Sequence, residues 1–234
     1  MYGIGKIDYL NLLPFEIYIK GSALPSQLKA MMKYKKSYPA KLNQDLLFHR
    51  IDMGFVSSIL ANRGKRNFQD IGIVAKGEVW SVLALPNDSK KDAQSATSNA
   101  LIDVLGESGE VLIGDRALLY KLEGGECKDL GLLWWNKKRL PFVFGLFCVA
   151  RGSALAEKIA RGFGGKAIKI PYYLLKQYAY QSQIPYKQIL QYLQRISYTL
   201  GAKEKMGLNN FHREMMFLQI KKPKRNYKEA LCKK

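Results

Sequence analysis

The chain has 234 residues and a mass of 26.6 kDa, with 38 Lys+Arg against 19 Asp+Glu and a formal charge of +19. At 47% hydrophobic and 12% aromatic it carries far too much apolar side chain for a disordered polycation, so a substantial core is expected, as one globular unit or two small lobes. No apolar run approaches the ~20 residues of a membrane-spanning helix, and the most apolar stretch, Leu140 to Ala150, covers about half of one.

Tyr2 to Ile7 reads as a strand that begins almost at once, with no basic region leading into an apolar export signal, and a cytoplasmic protein is expected. Asp8 to Phe15 is the loop leaving its C-terminal end, where open α/β sheets bind ligands. Leu42, Leu46 and Leu47 mark a helix that runs to His49. Asp52 to Ser58 is a buried strand whose polar end enters a short helix, Ile59 to Asn62. Two further strands, Ile71–Ala75 and Val79–Leu85, are separated by Lys76-Gly77-Glu78. The polar run Pro86 to Asp92 is the clearest composition break. Ser95 then caps a helix with Leu101, Val104 and Leu105 on its apolar face. Val111 to Asp115 is a second strand-to-helix unit, followed by Leu118, Leu119 and Leu122 on one helical face. Pro141 to Ala150 is a buried strand by its continuous apolarity. Beyond it the pattern is wholly helical, with Ile189, Leu190, Leu193, Ile196 and Leu200 forming one stripe. Alternating strands and helices of this kind define an α/β fold.

The charge suggests a polyanion partner, but 28 of the 38 basic residues are Lys and 10 are Arg, and base-edge recognition leans on the arginine fork. The lysines are spread along the chain, as on a solvated surface, and no nucleic-acid partner is expected. The basic tail Lys221-Lys-Pro-Lys-Arg225 and the residues after it read as a mobile, solvated terminus. Cys127, Cys148 and Cys232 are odd in number and widely spaced, as reduced thiols would be. His49 and His212 form no paired metal motif, and no metal site is expected. Gly3-Ile-Gly5 lacks the third glycine of a dinucleotide turn, no Walker A sequence occurs, and Ser57-Ser58 lacks a nucleophile elbow. A cofactor-free site or simple ligand binding remains.

Three loops at strand ends share neutral hydrogen-bonding groups: Asn11, the pair Ser57 and Ser58, and the pair Thr97 and Ser98. Helix N-termini after Ser58 and Ser95 would bind carboxylates through backbone N–H groups, although taken singly an ordinary capping role is the commoner one. Asp115 is the one acidic residue that a buried strand places. Seven of the 14 tyrosines fall between Tyr172 and Tyr198, and their spacing points to helix packing rather than a base-stacking strip. Trp134-Trp135 reads as cover for a sheet edge.

These residues meet a known pattern. Ile4 to Phe15 with its D-Y-L-N-x-x-P element, Ile51 to Ile59, Val79-Trp-Ser-Val-Leu83, Leu112 to Leu118 and Leu140-Pro-Phe-Val-Phe144 resemble, in order, the motifs of the chorismate dehydratase family of the futalosine route to menaquinone. The resemblance implies a two-lobe periplasmic-binding-protein-like fold of type II with the ligand between the lobes. Lobe I would span residues 1–84 plus 150–234, and lobe II residues 85–149. It also implies loss of the C4 hydroxyl and C3 hydrogen of chorismate, a dicarboxylate, to leave 3-[(1-carboxyvinyl)oxy]benzoate and water without a cofactor. By resemblance Asn11 and Ser81 are catalytic, while Tyr9, Ser57, Ser58, Thr97, Ser98 and Asp115 bind substrate. Where the family has S-R-T-S this chain has Ser95-Ala-Thr-Ser98, so Ala96 removes a guanidinium clamp. A non-catalytic protein binding an aromatic carboxylate, and a basic nucleic-acid-binding protein, are the alternatives.

Overall fold

A computed structural model describes residues 2–61 and 67–226. Strand β1 (Ile4–Ile7) leads through a 3-10 turn at Leu10–Leu12 into helix α1 (Leu13–Gly21), where Pro14 occupies the first turn, which needs no N–H from it. Next come α2 (Ser26–Tyr34), β2 (Lys36–Ser37), α3 (Pro39–Leu47), β3 (Met53–Ser57), a 3-10 turn at Ser58–Leu60 and β4 (Phe68–Ala75). The middle of the chain forms β5 (Val82–Leu85), α4 (Ala96–Leu105), β6 (Glu110–Ile113), α5 (Gly114–Leu122), β7 (Lys128–Asp129) and α6 (Leu130–Lys138). The remainder comprises β8 (Phe142–Val149), α7 (Ser153–Phe163), α8 (Tyr172–Ser182), α9 (Tyr186–Leu193), β9 (Ile196–Thr199) and α10 (Ala202–Phe217).

Six strands form one sheet in the order β2-β1-β3-β8-β4-β9, and three form a second in the order β6-β5-β7. The chain leaves the large sheet after Ala75 and returns at Phe142, and these two residues are register partners, so both crossings lie side by side. All of β5 pairs in the small sheet and all of β8 in the large one, whereas the expected breaks after residues 84 and 149 would divide them otherwise. Helices α3, α7 and α10 pack on the large sheet, and α4, α5 and α6 on the small one.

Phe15, Phe55, Phe147 and Phe163 interlock in the core, with Phe15 centroids 4.9 Å from Phe55 and 5.2 Å from Phe163. A β-carbon on Gly54 would sit 2.3 Å from the Gly5 carbonyl oxygen, so the approach of β3 to β1 requires glycine there. Trp134 is fully buried, packed edge-on against Phe142 at 5.1 Å, and is a core residue rather than cover for a sheet edge.

Two expectations are corrected. The C-terminal part is not wholly helical: α9 stops at Leu193, and Ile196–Thr199 adds β9 antiparallel to the edge of β4. Ile196 and Leu200 satisfy a helical stripe, but β4 offers an unpaired edge and its hydrogen bonds decide the matter. The basic tail is largely exposed, but through residue 226 it is hydrogen-bonded to the fold rather than free. Lys222 Nζ donates to Ala61 O at 2.7 Å, Arg225 Nε to Leu47 O at 2.8 Å, and Asn226 N to Gln44 Oε1 at 2.9 Å. These cations meet carbonyls at the C-terminal ends of the turn after β3 and of α3, where a positive charge is favoured. Residues 227–234, with Cys232, and Asn62 of the expected short helix lie outside the described residues.

Candidate active site

A narrow cleft with a cavity volume of about 40 Å³ lies between the two sheets. Tyr9, Asn11 and Ser57 line it from the large-sheet side, and Ser81, Ser95 and Ser98 from the other. Apolar walls come from Ile7, Ile73, Val82, Ile113 and Phe144.

Three cleft serines accept a hydrogen bond from a buried neighbour. Asn43 Nδ2 donates to Ser57 Oγ at 2.9 Å, Ser95 Oγ to Ser98 Oγ at 2.8 Å, and Tyr192 Oη to Ser81 Oγ at 2.8 Å. With one lone pair engaged from behind, Ser57, Ser81 and Ser98 each have their own proton left for a ligand oxygen, whereas Ser95 has given its proton to Ser98. Ser95 also caps α4, accepting Ser98 N at 3.1 Å, and no acidic residue occupies the first turn of that helix, so its positive end is available to an anion.

Asn11 sits in the turn after β1. Its Oδ1 is buried and has no hydrogen-bond partner among the described residues, although buried oxygens are nearly always paired. Tyr9 Oη donates to Gln94 Oε1 at 2.6 Å, and burial together with the nearby Asp92 carboxylate keeps this phenol neutral far above the usual tyrosine range. The Tyr9 ring lies against Gly114, whose φ of +71° and missing β-carbon both suit glycine; a β-carbon would lie 2.7 Å from the ring.

The remaining expected residues are placed differently. Thr97 Oγ1 accepts Ile59 N at 3.2 Å and lies 3.4 Å from Ser58 Oγ, so Ser58 and Thr97 hold the two sheets together behind the cleft and do not line it. Both are buried and too close to each other to admit a ligand between them. Asp115 likewise does not line the cleft: its Oδ1 accepts Leu10 N at 3.0 Å. Burial pushes its carboxyl up to about 6, partly opposed by that N–H and by Lys6.

Several positioning residues escaped the sequence reading. Asn43 lies beside Leu42 and three residues before Leu46, a polar residue on the apolar face of α3, and this is the signal that could have revealed it. Tyr192 lies on the stripe of Ile189 and Leu193 and is fully buried, so its hydroxyl required a partner. Asp129 caps α6 and also accepts Trp80 N at 2.7 Å and Val79 N at 3.1 Å, which fixes the segment carrying Ser81. Lys6, in the centre of β1, is buried against Glu16 at 2.7 Å, and Lys36 and Tyr178 reach the same carboxylate oxygen at 3.1 and 3.0 Å. Burial raises the Glu16 carboxyl, but the attraction of Lys6 and hydrogen bonds from Lys20 and Lys6 outweigh it and hold the group far below the carboxylate range. This cluster braces the strand that delivers Tyr9 and Asn11.

Among the described residues no three His, Cys, Asp or Glu side chains converge as metal ligands, and no helix is long and apolar enough to cross a membrane.

Comparison with known proteins agrees with this layout. A protein of Archaeoglobus fulgidus of known crystal structure superimposes with a TM-score of 0.67 at 13% identity, covering 93% of this chain and 97% of that one. The alkanesulfonate-binding protein SsuA from Xanthomonas axonopodis pv. citri, bound to MOPS, does so with a TM-score of 0.53 at 14% identity, covering 96% and 94%. These likenesses establish the α/β, two-lobe, periplasmic-binding-protein-like fold. A curated protein of Campylobacter jejuni named chorismate dehydratase is 46% identical over 210 residues, 88% of this chain and 94% of that one. The profile of a family described as menaquinone biosynthesis matches residues 2–108 and 97–216. With both halves of the chain matched and the cleft formed between them, the protein belongs to the menaquinone biosynthesis family.

Proposed function

We propose that this protein is a cofactor-independent lyase that dehydrates chorismate to 3-[(1-carboxyvinyl)oxy]benzoate and water; its Campylobacter relative is named chorismate dehydratase. The observation that carries the reading is the meeting of Asn11 and Ser81, contributed from the two sides of one cleft. The substrate lies between two lobes, one built on each sheet.

The reaction breaks the C4–O and C3–H bonds and forms an aromatic ring, so aromatisation supplies the driving force and the protein supplies orientation and hydrogen bonds. Ser81 donates to the departing C4 hydroxyl, and the free Asn11 Oδ1 accepts that hydroxyl's own proton. Ser57, Ser98 and the N-terminus of α4 hold carboxylate oxygens, which makes a guanidinium at Ala96 unnecessary. Tyr9 packs against the ring. Every polar side chain lining the cleft is a neutral amide, alcohol or phenol, so the C3 proton passes to a carboxylate of the substrate itself and leaves with the hydroxyl as water.

The same reading puts the protein in the cytoplasm, where the free Cys127 and Cys148 stay reduced. The surplus lysine contributes a positive field that draws a dianion inward. Incubating the purified protein with chorismate and following products by mass spectrometry tests the proposal: a product lighter by one water supports it. Tight binding of chorismate without turnover would instead identify a binding protein, and neither binding nor turnover by folded protein would remove chorismate altogether.

A further inference from the structure

Tyr192 is fully buried, does not line the cleft, and yet touches Ser81, one of the two residues that carry the proposed reaction. It reaches the serine from α9, a helix of the C-terminal part, so the small sheet alone does not order it. Tyr192 Oη donates to Ser81 Oγ at 2.8 Å and so spends its only proton. Ser81, having accepted from Tyr192, keeps its own proton for the cleft.

We infer that Tyr192 is a positioning residue that sets the polarity of the Ser81 hydroxyl, holding it as a donor toward the substrate hydroxyl. Without the phenol oxygen the Ser81 hydroxyl is free to rotate its proton away from the leaving group. The inference rests on the proposed dehydration for its effect on rate, but the Tyr192–Ser81 hydrogen bond stands independently of it.

The test is a double-mutant cycle with chorismate. Tyr192→Phe keeps the ring and removes only the oxygen. It is expected to lower kcat by about tenfold to a hundredfold, the scale of a small misplacement of reacting groups, while KM stays within a few-fold of wild type. Combined with Ser81→Ala it should cost no more than Ser81→Ala alone, because the two act as a unit. A Tyr192→Phe protein with wild-type kcat, or effects that multiply, overturns the inference. A neutron structure of the wild-type protein makes the same decision without a variant. Deuterium on Tyr192 Oη directed at Ser81 Oγ supports it, and the reverse polarity overturns it. If wild-type protein leaves chorismate unchanged, the proposed function falls and the neutron map still decides the direction of this hydrogen bond.

Discussion

The Asp115 carboxylate accepts the backbone N–H of Leu10 at 3.0 Å, so the first turn of α5 in one half of the molecule anchors the turn that carries Asn11 in the other. A buried carboxylate with one backbone donor is an incomplete solution, and its pKa, raised by burial to about 6, records the cost.

A pH dependence of stability follows. The folded-state value lies above the ordinary 3.8, so between these two values the folded protein binds the proton more tightly than the unfolded chain does. The favourable contribution is complete below the unfolded value and is lost as pH rises through about 6. Asp115→Asn preserves an acceptor for Leu10 N without a charge. It should therefore be more stable than wild type at pH 7.5 by about 1–3 kcal/mol, with the difference vanishing toward pH 4. Urea denaturation across that range checks this, and a difference independent of pH would contradict it.

Asn11→Ala should reduce turnover of chorismate by about a hundredfold, the scale of losing one oriented polar group in a desolvated site. Since Asn11 Oδ1 has no partner to lose, the melting temperature should stay close to wild type. Unchanged turnover would take Asn11 out of the mechanism.

Gly114→Ala places a methyl group 2.7 Å from the Tyr9 ring at a φ of +71°. The left-handed backbone alone costs about 1–2 kcal/mol for a residue with a β-carbon. Displacing Tyr9 should also break its 2.6 Å bond to Gln94 and raise KM for chorismate more than it changes kcat. Steady-state kinetics beside a thermal melt would show this, and a wild-type KM would mean that Tyr9 does not shape the binding surface.

Lys6→Met removes one of three cations around Glu16 and should destabilise the fold by about 3 kcal/mol, the lower part of the range for breaking a buried pair. Glu16→Gln should cost more, because it leaves Lys6 buried beside Lys36 with Asp8 as the nearest anion, at 3.7 Å. The Glu16 contribution is present above its unfolded value of 4.5 and is lost as pH falls below it. Urea midpoints of the two variants at pH 7 decide the order, and the reverse order would place the stabilising role on Lys6.

The sequence by itself did not reveal α1, α2, β2, β7 or α6, but it determined strands β1, β3, β4, β5, β6 and β8, helices α3, α4 and α5, the Ser95 cap, and five residues that line the cleft: Tyr9, Asn11, Ser57, Ser81 and Ser98. These were readable because local periodicity, capping chemistry and a motif are carried by neighbouring residues. Tertiary structure alone decided which hydroxyls line the cleft. Ser58 and Thr97 have the same chemistry as Ser57 and Ser98, but they spend it on each other across the two halves, over a separation of 39 residues. Tertiary structure also turned Ile196–Thr199 from a helical stripe into an edge strand, set the basic tail on α3, and brought Tyr192 within 2.8 Å of a serine 111 residues away. The physical reason is the same in each case. A buried polar group or an open sheet edge has to find a partner, and the partner is chosen by proximity in the folded chain, which residue spacing does not encode.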